Sequence, residues 1–191
     1  MAEPLQVLIQ DSGADRLVAG LPSSLRAANR AALDLKPAKI VFCGNSPEFS
    51  SKYARQLQSL GPIPLPCANG EAAGKFIDSS APLLVLGPDG FPREGSVALF
   101  LAEARQAGTP ARWLQGGLAV AAYYPRAADV LGATETTAAV ARRSLEEPGQ
   151  FAGIQSKGDW LAADGADSIR EAERALCASL AALAAERPIG A

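Results

Sequence analysis

Over the first two-thirds of the chain, short apolar runs alternate with longer stretches whose apolar residues recur every three or four positions. A parallel α/β sheet produces this pattern, because buried strands read as continuous apolar runs and the crossover helices show one apolar face. Leu5 to Ile9 predicts a first strand. Gly20, Leu21 and Pro22 open a helix with Pro22 in its first turn, where a missing N–H costs nothing; Leu25, Ala28, Ala32 and Leu35 fall on its buried face. Lys39 to Cys43 predicts a second strand, ended by Gly44 and Asn45, and Ser46 starts a helix running to Leu60. Ile63 to Cys67 predicts a short third strand, placed at a sheet edge by its prolines, and Glu71 to Asp78 a brief helix.

Leu83 to Leu86 is the most continuous apolar run and predicts a central strand buried on both faces. A helix over Ser96 to Ala107 follows, stopped by Gly108. Arg112 to Leu114 and Leu118 to Tyr124 predict two strands around Gly116 and Gly117, a turn tight enough to set the second antiparallel. Pro125 to Leu131 and Thr136 to Leu145 predict short helices, and Phe151 to Trp160 is extended but ambiguous. Asp167 to Glu186 predicts a long final helix, with Ala172, Leu176, Leu180 and Leu183 as its apolar face and Asp167 or Ser168 as its cap.

With 191 residues, 48% of them apolar and 20% charged, the chain suits one folded domain over residues 1–191. Histidine is absent, which removes Ser-His-Asp triads, Cys-His pairs and His-ligated zinc from consideration. A formal net charge of −2, with no basic stripe, argues against nucleic acid as a partner. Cys43, Cys67 and Cys177 are odd in number and irregularly spaced, as expected of reduced thiols rather than a disulfide framework. Neither a signal peptide nor an apolar run of membrane-spanning length is evident, so the expectation is a cytoplasmic protein without membrane insertion.

Ligands of open α/β sheets bind outside the carboxyl ends of the strands, which directs attention to three segments. Gln10 to Arg16 is small, polar and poised before a helix; Ser12 and Gly13 can offer backbone N–H groups to phosphate oxygens and Arg16 adds charge, or the segment is an ordinary connection with Asp and Ser as caps. Asp89 ends the central strand behind Gly87 and Pro88, placed either to hold Mg²⁺ beside a nucleotide phosphate or to bond its own turn. Asp164 precedes the last helix and has no capping role; folded back beside Asp89, it would share a hard divalent cation.

These segments together resemble the sugar-nucleotidyltransferase superfamily, specifically its molybdenum-cofactor-guanylyltransferase-like and inositol-phosphate-cytidylyltransferase-like domains, some fused to CDP-alcohol phosphatidyltransferases. Gly20, Leu21 and Pro22 match that family's G-[KRL]-P helix start, Leu83 to Asp89 its metal strand, and Asp164 to Glu173 its late D-T-P-E-D-L-x-x-A-E segment. The resemblance spans nearly the whole chain. It implies a nucleotide-diphospho-sugar-transferase-like, glycosyltransferase-A-like fold: a three-layer α/β sandwich around a mostly parallel mixed sheet. It also implies Mg²⁺ held by Asp89 and Asp164, Arg16 and Asp89 in catalysis, and Ser12, Gly13, Asn69, Gly70 and Lys75 on the substrates.

Two departures mark the phosphate loop. Aligned on Arg16, the glycines of the family's A-A-G-x-G-x-R fall on Ser12 and Ala14, and only four residues separate Arg16 from Gly20 to Pro22, leaving no place for the P-K lysine. Side chains where a backbone should approach phosphate obstruct it, and the missing lysine removes transition-state charge; Lys75 is the candidate replacement. The resemblance therefore implies one of two functions. The first is transfer of a nucleotidyl group, cytidylyl by preference, from an NTP such as CTP to a sugar or polyol phosphate with release of pyrophosphate. The alternative is a catalytically degenerate nucleotide- or partner-binding module. A membrane phosphatidyltransferase and a second copy of the chain are the protein partners the resemblance allows.

Overall fold

The computed structural model describes residues 4–11, 17–44, 48–68 and 70–186. The first half runs β1 (Gln6–Gln10), β2 (Leu17–Val18), β3 (Leu21–Pro22), α1 (Ser23–Leu35), β4 (Lys39–Cys43), α2 (Phe49–Lys52), α3 (Ala54–Gln58), β5 (Cys67–Ala68) and β6 (Leu83–Leu86). The second runs β7 (Gly90–Pro92), α4 (Ser96–Ala107), β8 (Ala111–Gln115), β9 (Leu118–Tyr124), α5 (Thr137–Glu146), β10 (Ala152–Ile154), β11 (Trp160–Ala162) and α6 (Ala166–Glu186).

One seven-stranded sheet has the order β10-β8-β9-β6-β1-β4-β5. All its strands share one direction except β9, which is antiparallel to both β6 and β8. The two glycines between β8 and β9 adopt φ of 59° and 84°, the left-handed backbone that lets so short a connection reverse the chain. Strand alternation divides the core into two layers. Leu84 and Leu86 join Val7, Ile9, Ile40, Phe42 and Trp113 under α1 and α4, whereas Leu83 and Val85 join Leu8, Val41 and Tyr124 under α5. The expected three-layer α/β sandwich with a mostly parallel mixed sheet is the observed architecture.

Several elements differ from expectation for local physical reasons. Pro22 belongs to the β2–β3 hairpin and caps α1 at ψ 145°, so the helix starts at Ser23. Ile63 to Cys67 does lie along β4, since Ile40 N donates to Pro64 O at 3.0 Å and Phe42 N to Pro66 O at 2.9 Å. Proline has no N–H to return, so the regular strand is limited to Cys67–Ala68. The helix expected from Ser46 to Leu60 is two short ones broken at Tyr53 over its described part. The helices expected over Glu71 to Asp78 and Pro125 to Leu131 are single 3-10 turns at Ala73–Lys75 and Ala127–Asp129. The cap of α6 is neither Asp167 nor Ser168 as first residue: Ser168 Oγ, one turn in, accepts from Gly165 N at 2.9 Å, and Asp167 pairs with Arg170. Leu180 of the expected α6 apolar face is 66% exposed, because the helix leaves the core after Leu176.

A second, two-stranded sheet crosses the carboxyl end of this framework. β7 pairs antiparallel with β11, matching Gly90 with Ala162, Phe91 with Leu161 and Pro92 with Trp160. Gly90 is required there, since a Cβ would lie 2.3 Å from Trp160 Nε1 and 2.4 Å from Leu161 O.

Candidate functional site

The chain runs from β1 to β4 and β5 on one side, then returns to place β6 on β1's other side. The order of strands reverses at the carboxyl ends of β1 and β6, the usual ligand position in such sheets. At the end of β1, half-buried Asp11 donates its N–H to Cys43 O at 2.8 Å. Gly44 then turns away with φ of 79°, and a Cβ there would meet Asp11 O at 2.8 Å. Burial, together with the Asp11 charge, pushes the Cys43 thiol up to about 12 from 9.0, which leaves it protonated and inert at neutral pH.

At the end of β6, Gly87 N donates to Val120 O at 2.9 Å, and Pro88 O accepts from Ser23 Oγ at 3.0 Å. The amino end of α1 is thereby held against the turn that presents Asp89. The antiparallel ladder of β7 and β11 continues one step further, with Ala163 N donating to Asp89 O at 2.9 Å. That bond brings Asp164 beside Asp89, and both line one cleft of 200 Å³ with Gly87, Gln115, Val120 and Trp160. Both aspartates are exposed residues of this cleft, and carboxylate oxygens are hard donors. Mg²⁺ is commonly bound by one or two carboxylates, completing its shell with water and substrate phosphate, so these residues fit that ion. Among the described residues no group of three or more Asp, Glu, Cys or His gathers to cage a metal.

The other expected residues are placed differently. Ser12, Gly13, Arg16 and Asn69 lie outside the described residues. Gly70, with φ of 78°, follows β5 at the same end of the sheet as Asp11. Lys75 is exposed in its 3-10 turn, 3.3 Å from Glu71 Oε2, and does not line the cleft of Asp89 and Asp164.

Three contributors escaped the sequence reading. Gln115 binds the backbone of Trp160 through both atoms of its amide, Ser23 fixes Pro88, and Trp160 packs edge-on to Trp113 at 5.9 Å between ring centroids. None lies in a local motif; a polar residue at the end of a strand beside a Gly-Gly turn was the one available signal for Gln115.

Compared by sequence, the chain matches no protein-family model and no curated protein. Compared by structure, it resembles 4-diphosphocytidyl-2C-methyl-D-erythritol synthase from Anaerococcus prevotii, with TM-score 0.63 and 8% identity, covering 91% of this chain and 98% of that one. HddC from Yersinia pseudotuberculosis gives TM-score 0.59 at 8% identity, over 91% and 99% of the two chains. HddC complexed with GMP-PN gives 0.52, also at 8% identity, over 90% and 99%. At such identities the likeness speaks for architecture, and over nearly its whole length this chain has the α/β fold of those proteins.

Proposed function

We propose that this chain is a nucleotidyltransferase that moves a nucleotidyl group, cytidylyl by preference, from an NTP to a phosphorylated sugar or polyol. The observation that carries this reading is the placement of Asp89 and Asp164 on one cleft by the β7–β11 ladder, at the carboxyl end of the β6 strand. Further support comes from similar structures, which include 4-diphosphocytidyl-2C-methyl-D-erythritol synthases and an HddC solved with GMP-PN.

In this reading a phosphate oxygen of the acceptor attacks the α-phosphorus of the nucleotide; that P–O bond forms as the bond to pyrophosphate breaks. The attacking oxygen is already ionised, so no general base is needed, in keeping with a chain that has no histidine. Asp89 and Asp164 would hold Mg²⁺, which supplies positive charge to the phosphate oxygens in the transition state. Arg16, with the backbone of Ser12 and Gly13, would orient the triphosphate, and Asn69 and Gly70 would lie near the base or the phosphates. The Asp11 N–H to Cys43 O bond ties the ends of β1 and β4 together beside this approach.

The test is Mg²⁺-dependent release of pyrophosphate from CTP in the presence of a panel of sugar and polyol phosphates. Asp89→Asn and Asp164→Asn each should reduce the rate at least about a hundredfold while leaving the melting temperature within ~2 °C, since both side chains are exposed. Full turnover in Asp89→Asn would remove the site assignment. Ser12 and Ala14, and the missing lysine, favour a second reading in which the cleft binds nucleotide without turnover. Calorimetric binding of CTP with no pyrophosphate release would select it.

A further inference from the structure

Behind the ribbon that carries the two aspartates lies a second hollow, of 360 Å³ against 200 Å³ for the cleft, and so within the usual range of small-ligand pockets. Strand alternation along β11 separates the two spaces. Trp160, Ala162 and Asp164 line the cleft, whereas Asp159 and Leu161 line the hollow.

Three cations from separate parts of the chain meet at this hollow: Arg30 from α1, Arg93 just after β7, and Lys157 from the loop before β11. Arg30 lies 3.8 Å from Glu94 and Arg93 lies 3.1 Å from Asp159, the acids being 78% and 64% exposed. Ion pairs so open to water contribute little, so an incoming anion displaces either acid at little cost. Lys157 is exposed and forms no ion pair with any described residue. Facing these charges are Leu99, Leu161 and Leu176, and Leu99 is 49% exposed although it adjoins the hollow. Cations and partly exposed leucines around one hollow define a ligand with both characters.

We propose that this hollow is a second binding site, for a small organic anion with an apolar body, such as a carboxylate or a phosphate monoester. Its anionic group sits among Arg30, Arg93 and Lys157, and its apolar part covers Leu99, Leu161 and Leu176. The site stands independently of what the cleft of Asp89 and Asp164 binds, although the two share the ribbon as a wall.

The experiment titrates the full chain, free of nucleotide, with butyl phosphate, butyrate and inorganic phosphate while following tryptophan fluorescence. Trp160 and Trp113 are the only tryptophans, and Trp160 belongs to the shared ribbon. Butyl phosphate or butyrate should give a saturable change, with inorganic phosphate about tenfold weaker because it lacks the apolar body. Lys157→Glu and Arg30→Gln should each weaken binding by about tenfold, with circular dichroism checking that both variants fold, and Asp89→Asn should bind as the parent does. Which of the two organic probes binds tighter decides between carboxylate and phosphate monoester. Absence of a saturable change with all three probes overturns the proposal. So does a response lost in Asp89→Asn but kept in Lys157→Glu, which would put the anion in the cleft. A failure of CTP to bind leaves every arm of this titration unaffected.

Discussion

The side-chain amide of Gln115 makes both backbone hydrogen bonds of Trp160: Oε1 accepts from Trp160 N and Nε2 donates to Trp160 O, each at 3.0 Å. One side chain thus acts as a one-residue strand, stitching the end of β8 to the ribbon that carries Asp164. Gln6 does the same at the opposite end of the sheet, where its amide holds Asp78 at 2.9 and 2.7 Å.

Replacing Gln115 tests this stitch. Gln115→Leu removes two hydrogen bonds, each with a net contribution of about 0.5–1.5 kcal/mol, so a loss of about 2 kcal/mol is expected. For a chain of this size that lowers the melting temperature by about 4–8 °C. Amide exchange should accelerate at Leu161 and Ala162 before it does in β1 or β6. Gln115→Glu keeps the acceptor and should fall between parent and Leu; an unchanged melting temperature in the Leu variant would mean the stitch carries no stability.

A methyl group at position 90 should be far more damaging than one at position 165. Gly90→Ala drives a Cβ to 2.3 Å from the Trp160 indole nitrogen, while nothing lies within 4 Å of a Cβ at Gly165. The ribbon must part or the backbone must shift, and a loss of about 3 kcal/mol or more is expected for Gly90→Ala. Chemical denaturation of the two variants side by side measures the contrast, and equal stabilities would refute the close packing.

Cys43 makes stability depend on alkaline pH. Its folded-state thiol titrates at about 12 instead of 9.0, so between these values the unfolded chain has released a proton that the folded chain retains. Stability should therefore fall as pH rises above 9, by about 1.4 kcal/mol per pH unit from this group. Cys43→Ala should flatten that slope, as read from denaturant midpoints at pH 8 to 10. In the folded protein at pH 8, a thiol reagent should label exposed Cys177 quickly and buried Cys43 only on unfolding.

Ser24 is the one residue in the described structure with a buried side-chain oxygen lacking a hydrogen-bond partner. It lies in the first turn of α1 at 1% exposure, and no side chain caps that helix. Ser24→Ala removes an unsatisfied hydroxyl and improves helix propensity, so a gain of about 1 kcal/mol, or ~2–4 °C in melting temperature, is expected. A destabilised Ala variant would show that the hydroxyl has a partner in solution.

The main strands were readable because each is an apolar run with both neighbours buried: Leu83 to Leu86 and Leu118 to Tyr124 were expected with close to their observed limits. Asp89 and Asp164 were readable as candidates from their positions after a strand and before a helix. What escaped was β7, the Gly90-Phe91-Pro92 segment, which looks like a turn because its pairing with Trp160 to Ala162 depends on residues some seventy positions away. Its partner β11 fell at the margin of a stretch whose type the sequence left open. The shortened helices at Ala73–Lys75 and Ala127–Asp129 have the same origin. Ala73 N bonds Glu135 O at 2.7 Å and Ala127 N bonds Ala81 O at 2.9 Å, so carbonyls distant in the sequence anchor the start of each turn.

The separation of β7 from β11 also orders the assembly of the molecule during synthesis. All seven strands of the main sheet lie before residue 155, whereas the ribbon closes only when residues 160–162 arrive. A nascent chain can complete its sheet while Asp89 still awaits Asp164. The cleft thus joins a segment made early to one made late, and its two carboxylates come together only through the closed ribbon.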